Sequence, residues 1–250
     1  MRQATLLRIV VLLALVAVIE TLCRTGVINN FTMQPPTEIV RDLWKILSSG
    51  KYNSAIAKTL TNAVIAFSLA LSVGIATALV VHSHRLVREA LDPLFATYYA
   101  IPVIAFYPLL VILFGLGDAP QIIIAFMLGV VAVIVNTLNG LDRVPRVLLK
   151  TARVARMSQR ATALKITLPF AMPYILTGAK FAIAYSLIGI IGSEFIMSRD
   201  GMGFEIAFAY TNFDNATMYP LILLVLLVSI TANLALVSWE KRILSRRGHQ

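Results

Sequence analysis

Between Lys150 and Pro169 the chain reads KTARVARMSQRATALKITLP, with five Lys or Arg and no acid. Positive charge at that density attracts an anionic surface, either acidic lipid headgroups or a protein partner, and performs no covalent chemistry itself. Lys180 and Glu194 stand inside a later apolar run, where a charge is costly enough to point to function. Each also has a structural reading: Lys180 snorkels to an interface, and Glu194 sits interfacially near the outer end. Ser186 and Ser193 add polar groups along the same run, while Gly189 and Gly192 permit close helix packing. His82, His84 and His249 fall near segment ends and predict no metal site. The single cysteine, Cys23, leaves neither a disulfide framework nor a Cys-rich metal centre. No glycine loop followed by Lys and Ser/Thr, no paired carboxylates at useful spacing and no nucleophile motif occurs. GDAPQ and RDGMG read as turns. No catalytic residue, no cofactor and no ATP hydrolysis by this chain is therefore expected.

The elements that must position these residues follow from composition. The 250 residues are 58% hydrophobic and 14% charged, with a mean hydropathy of +0.82. That is more apolar side chain than one water-facing domain needs, and it predicts an all-α polytopic membrane protein. A crossing helix needs about 20 apolar residues, and six runs qualify: Leu6–Leu22, Ile56–Val81, Leu94–Phe114, Pro120–Leu138, Pro173–Ile196 and Thr217–Val237. The first has the look of a signal peptide, with Arg2 and Arg8 before an apolar core. IETLC offers no small-residue cleavage site and no lipobox before Cys23, so a retained helix is expected.

With the N-terminus inside, 15 Lys and Arg fall on the cytoplasmic side and 6 outside, and Lys180 lies within the fifth helix. The asymmetry predicts cytoplasmic N- and C-termini. It also accounts for the net charge of +10 without nucleic acid as a partner. Outside, PPTEIVRDLWKILSSG predicts a short helix capped by Thr37, with Ile39, Leu43, Ile46 and Leu47 at helical spacing. GLGD reads as a tight turn. Pro102 and Pro108 in IPVIAFYPLL each remove a backbone donor and predict a kink or break in the third helix, of the kind that lines a path. Asn136 and Asn139 can bond across helices. The basic stretch falls in the largest cytoplasmic loop. Its alanines, leucine and long side chains favour helix, and Pro169 limits that helix.

The run LLKTARVARMSQRATALKITLPFAMPYILTGAKFAIAYSLIGIIGSEFI resembles the cytoplasmic loop and following helix of binding-protein-dependent ABC importer permeases. Within them it is most similar to the nitrate, sulfonate and taurine type. The likeness extends over PPTEIVRDLWKIL, AIPVIAFYPLLVILFGLGDAPQI, NTLNGL and GMGFEIAFAYTNFD, about Pro35 to Trp239. It implies the type I importer permease fold and one transmembrane permease domain over residues 1–250. The basic loop would then be a pair of short coupling helices that dock on a cytoplasmic ATPase subunit. The docking residues implied are Lys150, Thr151, Ala152, Arg153, Ala155, Arg156, Met157, Ser158, Leu168 and Pro169. The pathway residues considered are Pro102, Pro108, Lys180, Ser186, Ser193 and Glu194.

The other partners implied are an external or periplasmic solute-binding protein and a second permease chain, identical or paralogous, in the lipid membrane. The solute would be small, anionic or heterocyclic. Counted back from Leu168 and Pro169, the family's Glu-Ala-Ala falls on Lys150, Thr151 and Ala152, and its glycine on Arg156. Arginine in a left-handed conformation costs about 1 to 2 kcal/mol, so the bend must move or be strained, and Ser158 could cap a second helix there. The reversed charge at Lys150 is consistent with an altered ATPase groove or with a heteromeric permease pair. Two other classes fit the residues alone: a secondary transporter coupling ions through Glu194 and Lys180, and a membrane scaffold without a path.

Overall fold

The computed structural model describes residues 2–29 and 31–247; His249 lies outside them. No strand occurs among the described residues. Helix α1 (Arg2–Arg24) is apolar and almost wholly exposed. α2 (Pro36–Ser49) buries Ile39, Leu43 and Ile46, whereas Leu47 is exposed. Thr37 does not cap α2 as its type predicts. Its N–H donates to Glu20 Oε2 at 3.1 Å and its hydroxyl to Glu20 Oε1 at 2.8 Å. The first-turn amide is thus satisfied by a carboxylate from α1, a partner 17 residues away that no local pattern shows.

α3 (Asn53–Ser83), α6 (Asp118–Asp142) and α9 (Leu168–Met197) form the packed centre. α3 meets the other two through Ala63, Ala66, Ala70, Gly74 and Ala78, small residues three or four apart that let backbones approach. At Gly189 a Cβ would lie 2.5 Å from the Ala125 Cα, so α6 and α9 could not close around any larger residue. α11 (Asn215–Arg247) crosses the outside of this core and holds α2 and α10 (Met202–Thr211) through Ile46, Tyr52, Ile206 and Leu221.

Among the described residues, five helices are long and apolar enough to cross a membrane. A further, bent pair of helices passes the same test only when its two halves are taken together. α4 (Arg85–Thr97) begins inside the stretch that reads as an inner loop, runs on through a 3-10 turn to Ala100, and meets the segment Val103–Phe114 at 87°. Pro102 stands at the break, as its missing donor predicts. Pro108 lies in the first turn of α5 (Tyr107–Phe114), where no N–H is required. α5 alone spans about 12 Å against a hydrocarbon thickness of about 30 Å, so it does not cross by itself. The GLGD link turns through Gly115 and Gly117, both at positive φ.

Candidate functional site: the basic loop and its long helix

The loop starts as α7 (Arg146–Val154), launched by Pro145. Its end has two defining hydrogen bonds: Arg156 N–H donates to Arg153 O at 3.0 Å, and Met157 N–H to Ala152 O at 2.9 Å. This is the Schellman closure, whose turning residue is usually glycine. Here the turning residue is Arg156, with φ at 50°. The bend has not moved; it stays at the position where the family resemblance puts its glycine and carries the strain of a side chain there. Ser158 then caps the next helix, α8 (Gln159–Thr162), accepting from Ala161 N–H at 3.2 Å. An i-to-i+5 turn, Ala163–Thr167, leads into α9 without interruption. Pro169 has no N–H for the Lys165 carbonyl, and the wider turn absorbs that vacancy. Gln159 to Ile196 is consequently one helical span of 38 residues.

The docking candidates divide by face. Val147 and Val154, 71% and 86% exposed, flank exposed Lys150 on the outward side of α7, with Thr151 beside it. Ala152 is buried, and Leu168 packs toward Leu141, Ala171 and Ile175. Ala155, Arg156 and Ser158 form the exposed bend. Leu149, Arg153 and Met157, four residues apart, face a cavity of about 750 Å³ between the loop and the ends of α3 and α6. His82 and His84 line the same cavity. His82 Nε2 lies 3.5 Å from Asp142 Oδ1, and His84 Nδ1 lies 2.7 Å from Ser83 Oγ.

At the other end of α9 the polar groups turn inward. Glu194 is fully buried, receiving the Thr59 hydroxyl at 2.9 and 2.8 Å and Gly203 N–H at 2.9 Å. Met202 N–H donates to Thr59 Oγ1 at 2.8 Å. A Cβ at Gly203 would collide with the Ile191 carbonyl and with Glu194, and Gly201, at φ 100°, would meet the same carboxylate. The two glycines of DGMG therefore let the connection lie on the acid. Nearby, Lys58 Nζ bridges Asp118 Oδ1 at 2.9 Å and Asp200 Oδ2 at 2.6 Å, and Gln121 donates to Ser198 Oγ at 3.0 Å.

Residues 70–247 match the family described as the binding-protein-dependent transport system inner membrane component. The chain belongs to this family. The nitrate import permease protein NrtB of Leptolyngbya laminosa is 29% identical over 79% of this chain and 74% of its own length. The taurine transport system permease protein TauC of Escherichia coli is 26% identical over 97% and 90%. Among solved structures, the MetNI methionine ABC transporter in an inward-facing conformation superposes with a TM-score of 0.66. It does so at 15% identity, over 84% of this chain and 99% of that one, and the likeness shows a shared fold. The protein is an integral inner-membrane permease subunit of an ABC importer, of the nitrate, sulfonate and taurine type. It is a transport component, with ATP hydrolysis on a separate subunit and a solute-binding protein as the other general partner.

In the permease the six pathway candidates do not share one surface. Pro102 and Pro108 bracket the break of the third crossing. Lys180 is ion-paired with Glu240 of α11, which ties the two helices together. Ser193 donates to the Gly189 carbonyl at 2.7 Å and is buried, as are Ser186 and Glu194. The exposed stripe of α9 is instead Phe181, Ala184, Ile188 and Phe195. Tyr185 stacks between Phe181 and Tyr99, with ring centroids 6.4 and 5.6 Å away. The sequence reading missed this aromatic row, which joins α9 to the break, and missed Glu240, whose charge beside an apolar run in VSWEKR was the available signal.

Proposed function

We propose that Lys150–Pro169 is the dock for the cytoplasmic ATPase, that both termini are cytoplasmic, and that the chain forms half of a pathway with a second permease. The observation that carries this reading is the bent loop fused to α9: a helix ending at Arg156, a capped restart at Ser158, and no break thereafter up to Ile196. Displacement of the loop would move α9 as one body. The docking contacts are assigned to the outward face, Val147, Lys150, Thr151 and Val154, together with the Arg156 bend. The stripe through Phe181, Tyr185 and Ile188, with Tyr99 at the break, is assigned to the pathway side facing the second permease. Ser186, Ser193 and Glu194 would shape that side from behind. The relatives' transport of nitrate and taurine supports a small solute bearing an oxyanion group, delivered by an external binding protein.

The test is co-purification of the tagged chain from its native membranes in mild detergent. The wild type is expected to bring down an ATPase, and Lys150→Glu with Val154→Asp to lose it while staying folded. Retention of the ATPase by that variant would remove the docking assignment. The basic residue at Lys150 and the strained Arg156 favour a heteromeric pair with a paralogous permease. A transport-competent complex containing only this permease would overturn that part.

A further inference from the structure

The cavity behind the loop is not used by docking. We propose that it binds the phosphate headgroup of an anionic phospholipid from the inner leaflet. Arg153 and Arg160 line it, and neither has an acidic partner among the described residues; no Asp or Glu lines it. The neighbouring acid, Asp142, is held by Arg88 Nη2 at 3.0 Å and by His82. Leu79 and Leu141, at the ends of the α3 and α6 spans, and Leu149 from α7 give the cavity an apolar part of its lining, beside polar Ser83, His84 and Thr167. Two arginines and three leucines in one cavity at the end of crossing helices fit an amphiphile whose acyl chains stay in the bilayer. Size favours the lipid over a free oxyanion. At about 750 Å³ the space falls in the range of roughly 300 to 1,000 Å³ that holds ligands of many heavy atoms.

The inference rests on the loop lying at the cytoplasmic surface, as proposed above. Its test needs no ATPase, so failure of docking and failure of lipid binding are separately visible. The full-length chain in detergent is titrated with phosphatidylglycerol, phosphatidylcholine or inorganic phosphate, and bound species are counted by native mass spectrometry. Wild type is expected to retain phosphatidylglycerol over phosphatidylcholine. Arg153→Gln with Arg160→Gln should weaken that retention roughly tenfold or more. Arg153→Lys with Arg160→Lys should preserve it, which separates charge loss from misfolding. Lys165→Gln, on the same loop but outside the cavity, should leave it unchanged. Equal weakening by Lys165→Gln, no preference between the two lipids, or displacement of phosphatidylglycerol by inorganic phosphate would each overturn the proposal.

Discussion

The two ends of α9 carry similar numbers of polar groups and dispose of them in opposite ways. At the Glu194 end the buried carboxylate and its neighbours are answered within the chain: the carboxylate by Thr59 and Gly203, the Thr59 oxygen by Met202, Lys58 by two aspartates. At the loop end Arg153, Arg156 and Arg160 form no ion pair among the described residues. One end thus closes its charges on itself, and the other leaves its arginines without an acid among the described residues. Burial of a charge alone did not separate structural from functional residues in this membrane; the direction in which its hydrogen bonds run did.

The contrast is open to attack at several points. The strongest blow should be Gly203→Val, which drives a side chain into the Ile191 carbonyl and Glu194. A loss of about 3 kcal/mol or more is expected, read as collapse of the monodisperse peak in detergent. Glu194→Ala should follow, at about 2 to 3 kcal/mol, because Thr59 and Gly203 N–H are left without an acceptor. A thermal unfolding curve in detergent unchanged by Glu194→Ala would show that the far end is not closed upon itself. Between the ends, Lys180→Ala should cost about 1 to 3 kcal/mol by stranding the half-buried Glu240. The exchange Lys180→Glu with Glu240→Lys should recover most of it in a double-mutant cycle. Smallest is Arg156→Gly, expected to stabilise by about 1 kcal/mol or less, since relief of the left-handed strain is offset by the freedom of unfolded glycine. Arg156→Val should move the melting temperature the other way.

Much of the fold was legible because it rests on local properties. Apolar run length gave the crossings and Pro102 the break; the resemblance to the permease family put the expected turning residue at Arg156, where the bend had either to move or to be strained, with Ser158 as a cap for the next helix. What escaped was pairing over distance. Glu20 serves the first turn of α2, Glu240 answers Lys180 across 60 residues, and Thr59 reaches Glu194 across 135. None of these distances has a periodicity to read. The helical character of Arg85–Thr97 was also missed, since its charged, half-polar pattern resembles a loop when only apolar length is counted. For the candidate site, composition identified the loop, but only the geometry separated its outward face from the face turned to the cavity.

The uninterrupted run from Gln159 to Ile196 has a mechanical meaning. Thirty-eight residues extend for about 57 Å, nearly twice the roughly 30 Å hydrocarbon layer. If the loop is the dock proposed above, the surplus would act as a moment arm, with the close contact of Gly189 on Ala125 as its pivot. The wider turn at Ala163–Thr167 lies between the loop and that pivot, so its stiffness would set how much of a displacement of the loop reached the far end. In such a machine the gearing is written in helix length and in the position of one glycine.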